Sequence, residues 1–136
     1  ITMSKLRFVI EKKDKNARAG LIETYHGSIK TPVFMPVGTL GNVKAIFHKD
    51  LEKLGYEIIL SNTYHLMLRP GEDLIKKMGG LQTFISWQKP ILTDSGGYQA
   101  WSLSKLRKID EEGINFSSHL DGKKINLTPE YAIKIQ

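Results

Sequence analysis

A chain of 136 residues with 40% hydrophobic and 25% charged residues has the composition of a folded globular domain, which argues against disorder throughout. It is nevertheless short for a closed (β/α)8 barrel, which takes about 250 residues. The absence of cysteine excludes disulfides, thiol nucleophiles and thiolate metal sites, and with four histidines as the only nitrogen ligands no metal site is expected.

The net charge of +6 suits a polyanion such as RNA, although a solvated basic surface accounts for it equally well. No apolar run approaches the roughly 18 residues of a membrane span, and Ile1 to Lys5 lacks the apolar block of a signal peptide. A cytoplasmic protein is therefore expected, with a natural start at Met3 and one unit over residues 3–136. No internal repeat, low-complexity stretch or linker divides it.

Leu6 to Ile10 alternates as a strand, Lys12 to Gly20 is a polar turn, and Leu21 to Tyr25 resumes extended character, which predicts a hairpin. His26-Gly27-Ser28 turns the chain again before a short strand at Ile29-Lys30-Thr31. Pro32 to Val37 predicts an apolar, Pro-bracketed buried strand ending at Gly38. His48 to Leu54 predicts a helix with Leu51 and Leu54 on one face, stopped by Gly55.

Glu57 to Leu60 is a second core strand, ending in the polar run Ser61-Asn62-Thr63. A helix from about Gly71 to Met78, halted by Gly79-Gly80, and a short helical segment from Leu81 to Trp87 lead to the third core strand, Pro90 to Thr93. Strands and helices alternating at this spacing predict right-handed βαβ units with parallel strands, an α/β class. The polar residues after each strand lie where such folds bind ligands. Further on, Asp121-Gly122 between Ile114 to Ser118 and Lys124 to Leu127 predicts a hairpin, and Thr128 caps a final helix with Pro129 in its first turn.

Asp94 falls at the end of the third strand before two glycines that let the backbone approach a ligand, so its carboxylate is either a ligand-facing group or the cap of its own turn. Tyr98 and Gln99 follow, offering an aromatic face and an amide to a nucleobase. The alternative makes Tyr98 a core anchor with Trp101 and Leu103. Asn62, ending the neighbouring strand, either bonds a ligand or Asp94 or closes an Asx turn.

His48 and His65 lack a second ligand at helical spacing and read as structural. Asp110-Glu111-Glu112 reads as a solvated helix end, and Lys105-Leu106-Arg107-Lys108 as a solvated basic face, with a phosphate contact by Arg107 or Lys108 as the other option. Asp94-Ser95-Gly96-Gly97 is not a Walker A loop, because no Gly-Lys-Ser/Thr follows.

Thr31-Pro32-Val33-Phe34-Met35-Pro36-Val37-Gly38-Thr39, Ser61-Asn62-Thr63-Tyr64-His65-Leu66, Arg69-Pro70-Gly71 and Leu92-Thr93-Asp94-Ser95-Gly96-Gly97-Tyr98-Gln99 stand in one order along the chain. Together they resemble the N-terminal part of the tRNA-guanine transglycosylases, queuine-family enzymes that exchange guanine at the tRNA wobble position for a 7-deazaguanine base. The resemblance implies the N-terminal part of a (β/α)8 TIM-type barrel, a small antiparallel β-sheet before it, and a β-hairpin insertion after the third barrel strand.

It further implies that Asp94 is general acid/base toward the exchanged base and that Tyr98 stacks on that base. Asn62 and Gln99 would support Asp94 in the base pocket, Ser95 would belong to the same base site, and Val37 and Leu60 would line the ribose region. In the family a second aspartate attacks the ribose C1′, and a structural zinc is held by three cysteines and a histidine in the C-terminal part. Neither belongs to the segment matched here, so the resemblance implies a truncated form or fragment without cofactor, inactive in isolation.

Its partners would be tRNA and a guanine or 7-deazaguanine base, with a homo-oligomer compatible. From a different class, a noncatalytic interaction module would pair with a complementary chain or itself through open strand edges. A third option is an unrelated small α/β domain holding another planar ligand through Tyr98.

Overall fold

The structure, a computed structural model, describes residues 6–103 and 107–136; the expectations at Ile1 to Lys5 and at Lys105 and Leu106 lie outside them. The chain opens with β1 (Arg7–Asp14), β2 (Ala17–Thr24) and β3 (Gly27–Thr31), an antiparallel sheet in that order. The polar stretch expected as a long turn is ladder instead, with Asp14 paired to Ala17 across a two-residue turn. Both faces of the ladder are exposed there, so charged side chains cost little on the strand. Lys15 takes φ 52, the left-handed geometry that tight hairpins need.

The expected buried strand at Pro32 to Val37 is reduced to one parallel bridge, Val37 to Leu60. Leu60 N donates to Pro36 O at 3.0 Å and Gly38 N to Leu60 O at 2.6 Å. Prolines 32 and 36 have no N–H to extend that ladder. No described element covers the outer side chains, and Phe34 and Val37 remain exposed.

Helix α1 (His48–Lys53) buries Leu51, whereas Leu54, expected on the same face, is exposed because the helix closes at Lys53 and turns through Gly55 at φ +82. β4 (Ile59–Ser61) pairs in parallel with β5 (Ile91–Thr93), Leu60 opposite Leu92. Between them lie α2 (Thr63–Leu68), α3 (Glu72–Lys77) and α4 (Leu81–Ile85). The last two match the sequence expectation closely; α2 does not appear in it.

After β5 come α5 (Gly97–Leu103), then an antiparallel sheet of β6 (Arg107–Asp110), β7 (Gly113–Ser117) and β8 (Lys124–Leu127), and α6 (Pro129–Ile135). Asp110-Glu111-Glu112 is therefore a hairpin turn and not a helix end. Asp110 pairs with Gly113, and Asp110 Oδ1 accepts from Glu112 N at 3.2 Å. The hairpin at Asp121-Gly122 forms as expected, Gly122 at φ +74, and Thr128 Oγ1 caps α6 by accepting from Tyr131 N at 3.1 Å.

Two buried clusters hold these elements. Leu51, Ile59 and Trp87 pack behind the parallel pair. Tyr64, Met67, Ala100, Phe116, Leu127 and Ala132 join α2 and α5 to β7, β8 and α6. Full burial of a side chain such as Phe116 contributes about 1.5–3 kcal/mol, so this second cluster fastens the late hairpin to the strand-end loops. The result is a mixed α/β fold with small antiparallel sheets. Among the described residues no helix is long and apolar enough to cross a membrane.

Candidate base-binding site at the strand ends

Residues paired across a ladder point to the same face. Leu60 is paired with both Val37 and Leu92, so these three apolar side chains form one row. Two residues further along β4 and β5 the same face carries Asn62 and Asp94. Backbone bonds continue to that level, Asn62 N donating to Thr39 O and Asp94 N to Ser61 O, both at 3.3 Å. A row of apolar groups thus stands beneath a polar pair at the carboxyl ends of the parallel segments.

The Asp94 carboxylate is held by three donors. Oδ1 accepts from Thr63 N at 2.9 Å and from Gly96 N at 3.1 Å, and Oδ2 accepts from Asn62 Nδ2. Asn62 is buried, and its Oδ1 accepts from His65 N at 3.1 Å as the cap of α2. Asn62 therefore both caps a helix and bonds Asp94, while Asp94 closes its own turn and receives the first amide of α2. Two backbone amides and one capping side chain fix the carboxylate's orientation, and it remains only half-buried.

Gly96 makes this loop possible. Its φ is +71, and a Cβ built there would lie 2.7 Å from Tyr64 N and 2.9 Å from Tyr64 Cβ. Tyr64 is fully buried, its ring 5.5 Å from Phe116, and its hydroxyl meets His119 Nδ1 at 3.0 Å. Burial raises the Tyr64 pKa above its ordinary value. The Asp94 loop thus leans on a tyrosine clamped from the late hairpin.

Ser95 is exposed and its Oγ accepts from Gly97 N at 3.3 Å. Tyr98 is 71% exposed in the first turn of α5, its ring 5.9 Å from Trp101 at 42°. It is not a core anchor with Trp101 and Leu103, which are themselves exposed; Ala100 is the residue α5 buries. Gln99 is half-buried and is not among the donors to Asp94.

His48 is structural, with its ring nitrogens 2.8 Å from Ile85 O and 3.0 Å from Gly41 O. His65 lies against Tyr64 and 6.2 Å from the His119 ring. Its pKa is lowered, first by burial and then by His119, against an opposing pull from Asp94.

Sequence reasoning missed the Thr63 and Gly96 amides and the Tyr64–His119 contact. The Asn62 cap is a helix-start signal, but Thr-Tyr-His-Leu carries no Glu or Gln to complete a capping box. His119 lies too far along the chain for any local signal. Among the described residues no group of three or more His, Cys, Asp or Glu could hold a metal ion.

The family model described as Queuine tRNA-ribosyltransferase matches residues 13–136. The queuine tRNA-ribosyltransferase of Dictyoglomus turgidum is 57% identical over 128 residues, which is 94% of this chain and 33% of the relative. That of Rickettsia typhi is 57% identical over 134 residues, 98% of this chain and 37% of the relative. That of Nitratidesulfovibrio vulgaris is 59% identical over 129 residues, 95% of this chain and 34% of the relative. The chain spans about a third of the length of the curated relatives it matches.

Proposed function

The chain belongs to the queuine tRNA-ribosyltransferase family, and on that premise we propose that it forms the base-binding portion of a site that exchanges guanine in tRNA for a 7-deazaguanine. The observation that carries this reading is the Asp94 carboxylate, aimed by Asn62, Thr63 and Gly96 at the end of parallel strands. Asp94 transfers a proton to the departing base and takes one from the incoming base. The exposed Tyr98 ring stacks on that base, and Ser95 and Gln99 bond its polar edge. The apolar Val37 and Leu60 lie against the ribose.

The three parallel segments joined through Leu60 support a (β/α)8 barrel as the parent architecture, with β1–β3 before it and the β7–β8 hairpin inserted after its third strand. The parent reaction passes through attack of a second aspartate on the ribose C1′. Its partners are tRNA and the free base in the cytoplasm, and a homo-oligomer is compatible.

The test is incorporation of labelled guanine into cognate tRNA by the intact protein and its Asp94→Ala variant. Exchange falls about 10²–10⁴-fold, the usual loss for a general acid/base, while tRNA affinity changes little. Undiminished exchange by the variant overturns the assignment. A second reading rests on β5, which pairs with β4 alone among the described residues. Its free edge suits a complementary chain, and a chain that stays monomeric and unfolds cooperatively without a partner would count against it.

A further inference from the structure

Two tryptophans divide the molecule's aromatic chemistry. Trp87 is completely buried and its Nε1 donates to Pro90 O at 3.1 Å, as a core residue should. Trp101 is 47% exposed. It follows Tyr98 by three residues on α5, so the two rings share one helix face while Ala100 is buried on another. The Arg107 guanidinium lies over the Trp101 ring, 5.2 Å from its centroid.

These three planar groups make a strip that begins at Tyr98, four residues beyond Asp94. Inserting a base between Tyr98 and Trp101 would need about 7 Å, two van der Waals contacts, and the rings are 5.9 Å apart. The strip therefore offers adjacent surfaces to successive bases. Single-stranded RNA loops are held by splayed bases lying on aromatic rings and arginine planes, and a guanidinium beside the ring also meets the strand's negative charge.

We propose that Trp101, with Arg107 over its ring, is the docking surface for the loop nucleobase adjoining the exchanged guanine, a sequence-tolerant stacking site continuous with Tyr98. This rests on the reading of Asp94 and Tyr98 given above. A protein partner is the competing occupant, and the charge favours RNA: the chain is +6 overall, and the strip ends on an arginine.

The experiment measures the affinity of the intact protein for a labelled RNA stem–loop carrying the exchanged guanine, and for the same RNA made abasic either at that guanine or at a neighbouring loop position. Trp101→Ala weakens binding of the complete RNA roughly 5- to 150-fold, the equivalent of the stacking of one base. Trp101→Phe retains most of the affinity, and Trp101→Leu, which keeps apolar bulk without a π face, behaves as Trp101→Ala. The penalty disappears for the RNA abasic at a neighbouring position and persists for the RNA abasic at the guanine.

Equal penalties on all three RNAs, no penalty, or a change of oligomeric state in place of RNA affinity would each overturn the proposal. If the unaltered protein fails to distinguish complete RNA from RNA abasic at the guanine, the reading of Asp94 and Tyr98 fails. If it does distinguish them and Trp101→Ala has no effect, only the present proposal fails.

Discussion

Replacing Gly96 with alanine tests how tightly the Asp94 loop is tied to the core. An alanine at φ +71 incurs about 1–2 kcal/mol of left-handed strain. The new methyl also meets Tyr64 N at 2.7 Å and Tyr64 Cβ at 2.9 Å, and these atoms cannot recede because Tyr64 is fully buried against Phe116 and bonded to His119. Overpacking of this kind adds about 1–3 kcal/mol, so a total of roughly 2–5 kcal/mol is expected. Any relaxation displaces Gly96 N or Thr63 N from Asp94 Oδ1, so base exchange falls as well.

Gly97→Ala is the control, since a Cβ there meets only Ser95 Oγ at 3.4 Å and no positive φ is required. Urea denaturation of both variants reads the difference. Equal stability of the two would refute the view that Gly96 is the contact fastening the loop to α2.

Asn62→Ala removes the α2 cap and one Asp94 donor together; a loss of about 1–2 kcal/mol by denaturation is expected, with exchange reduced beyond what stability explains. Asn62→Asp keeps a capping oxygen but sets a carboxylate against Asp94, so it should retain α2 stability better than Asn62→Ala yet lose exchange as fully. Tyr131 donates to Glu72 across α6 and α3, and this bond with burial pushes the phenol up to about 12 from 10.0. The folded state then holds that proton more tightly than the unfolded state, so the contribution is complete below pH 10 and lost as pH rises from 10 toward 12. Denaturation across that range should show a steeper decline for the unaltered protein than for Tyr131→Phe. Ser61 Oγ is buried without a partner among the described residues, so Ser61→Ala should be neutral or stabilise by up to about 1 kcal/mol; a clear loss in thermal denaturation would expose an unrecognised partner.

The elements legible in the sequence are those with local signals. Asp121-Gly122 marked its hairpin, Thr128-Pro129 opened α6, and the β-branched and apolar runs at β4 and β5 marked their strands. Helix α2 carried only the Asn62 cap without a capping box, and α5 carried no such mark. At six and seven residues they are too short to be stable by propensity, and they persist by burying Tyr64 and Ala100 in a cluster completed by Phe116 and Leu127. Pro32 to Val37 misled in the opposite direction, because apolar content predicted burial while its prolines limited the ladder.

At the site, strand endings were enough to bring Asn62 and Asp94 to one level. Of the donors that aim Asp94, Asn62 was legible, whereas the two backbone amides were not, because their positions follow from α2 and from the left-handed turn at Gly96.

The most direct measurement is a titration of free guanine into the isotopically labelled intact protein, followed by amide NMR. The account predicts that the Thr63 and Gly96 backbone amides and the Asn62 side-chain amide shift together as the base saturates, with the Tyr98 ring signals moving over the same range. Saturable binding that leaves these groups unmoved would contradict a base site built around Asp94.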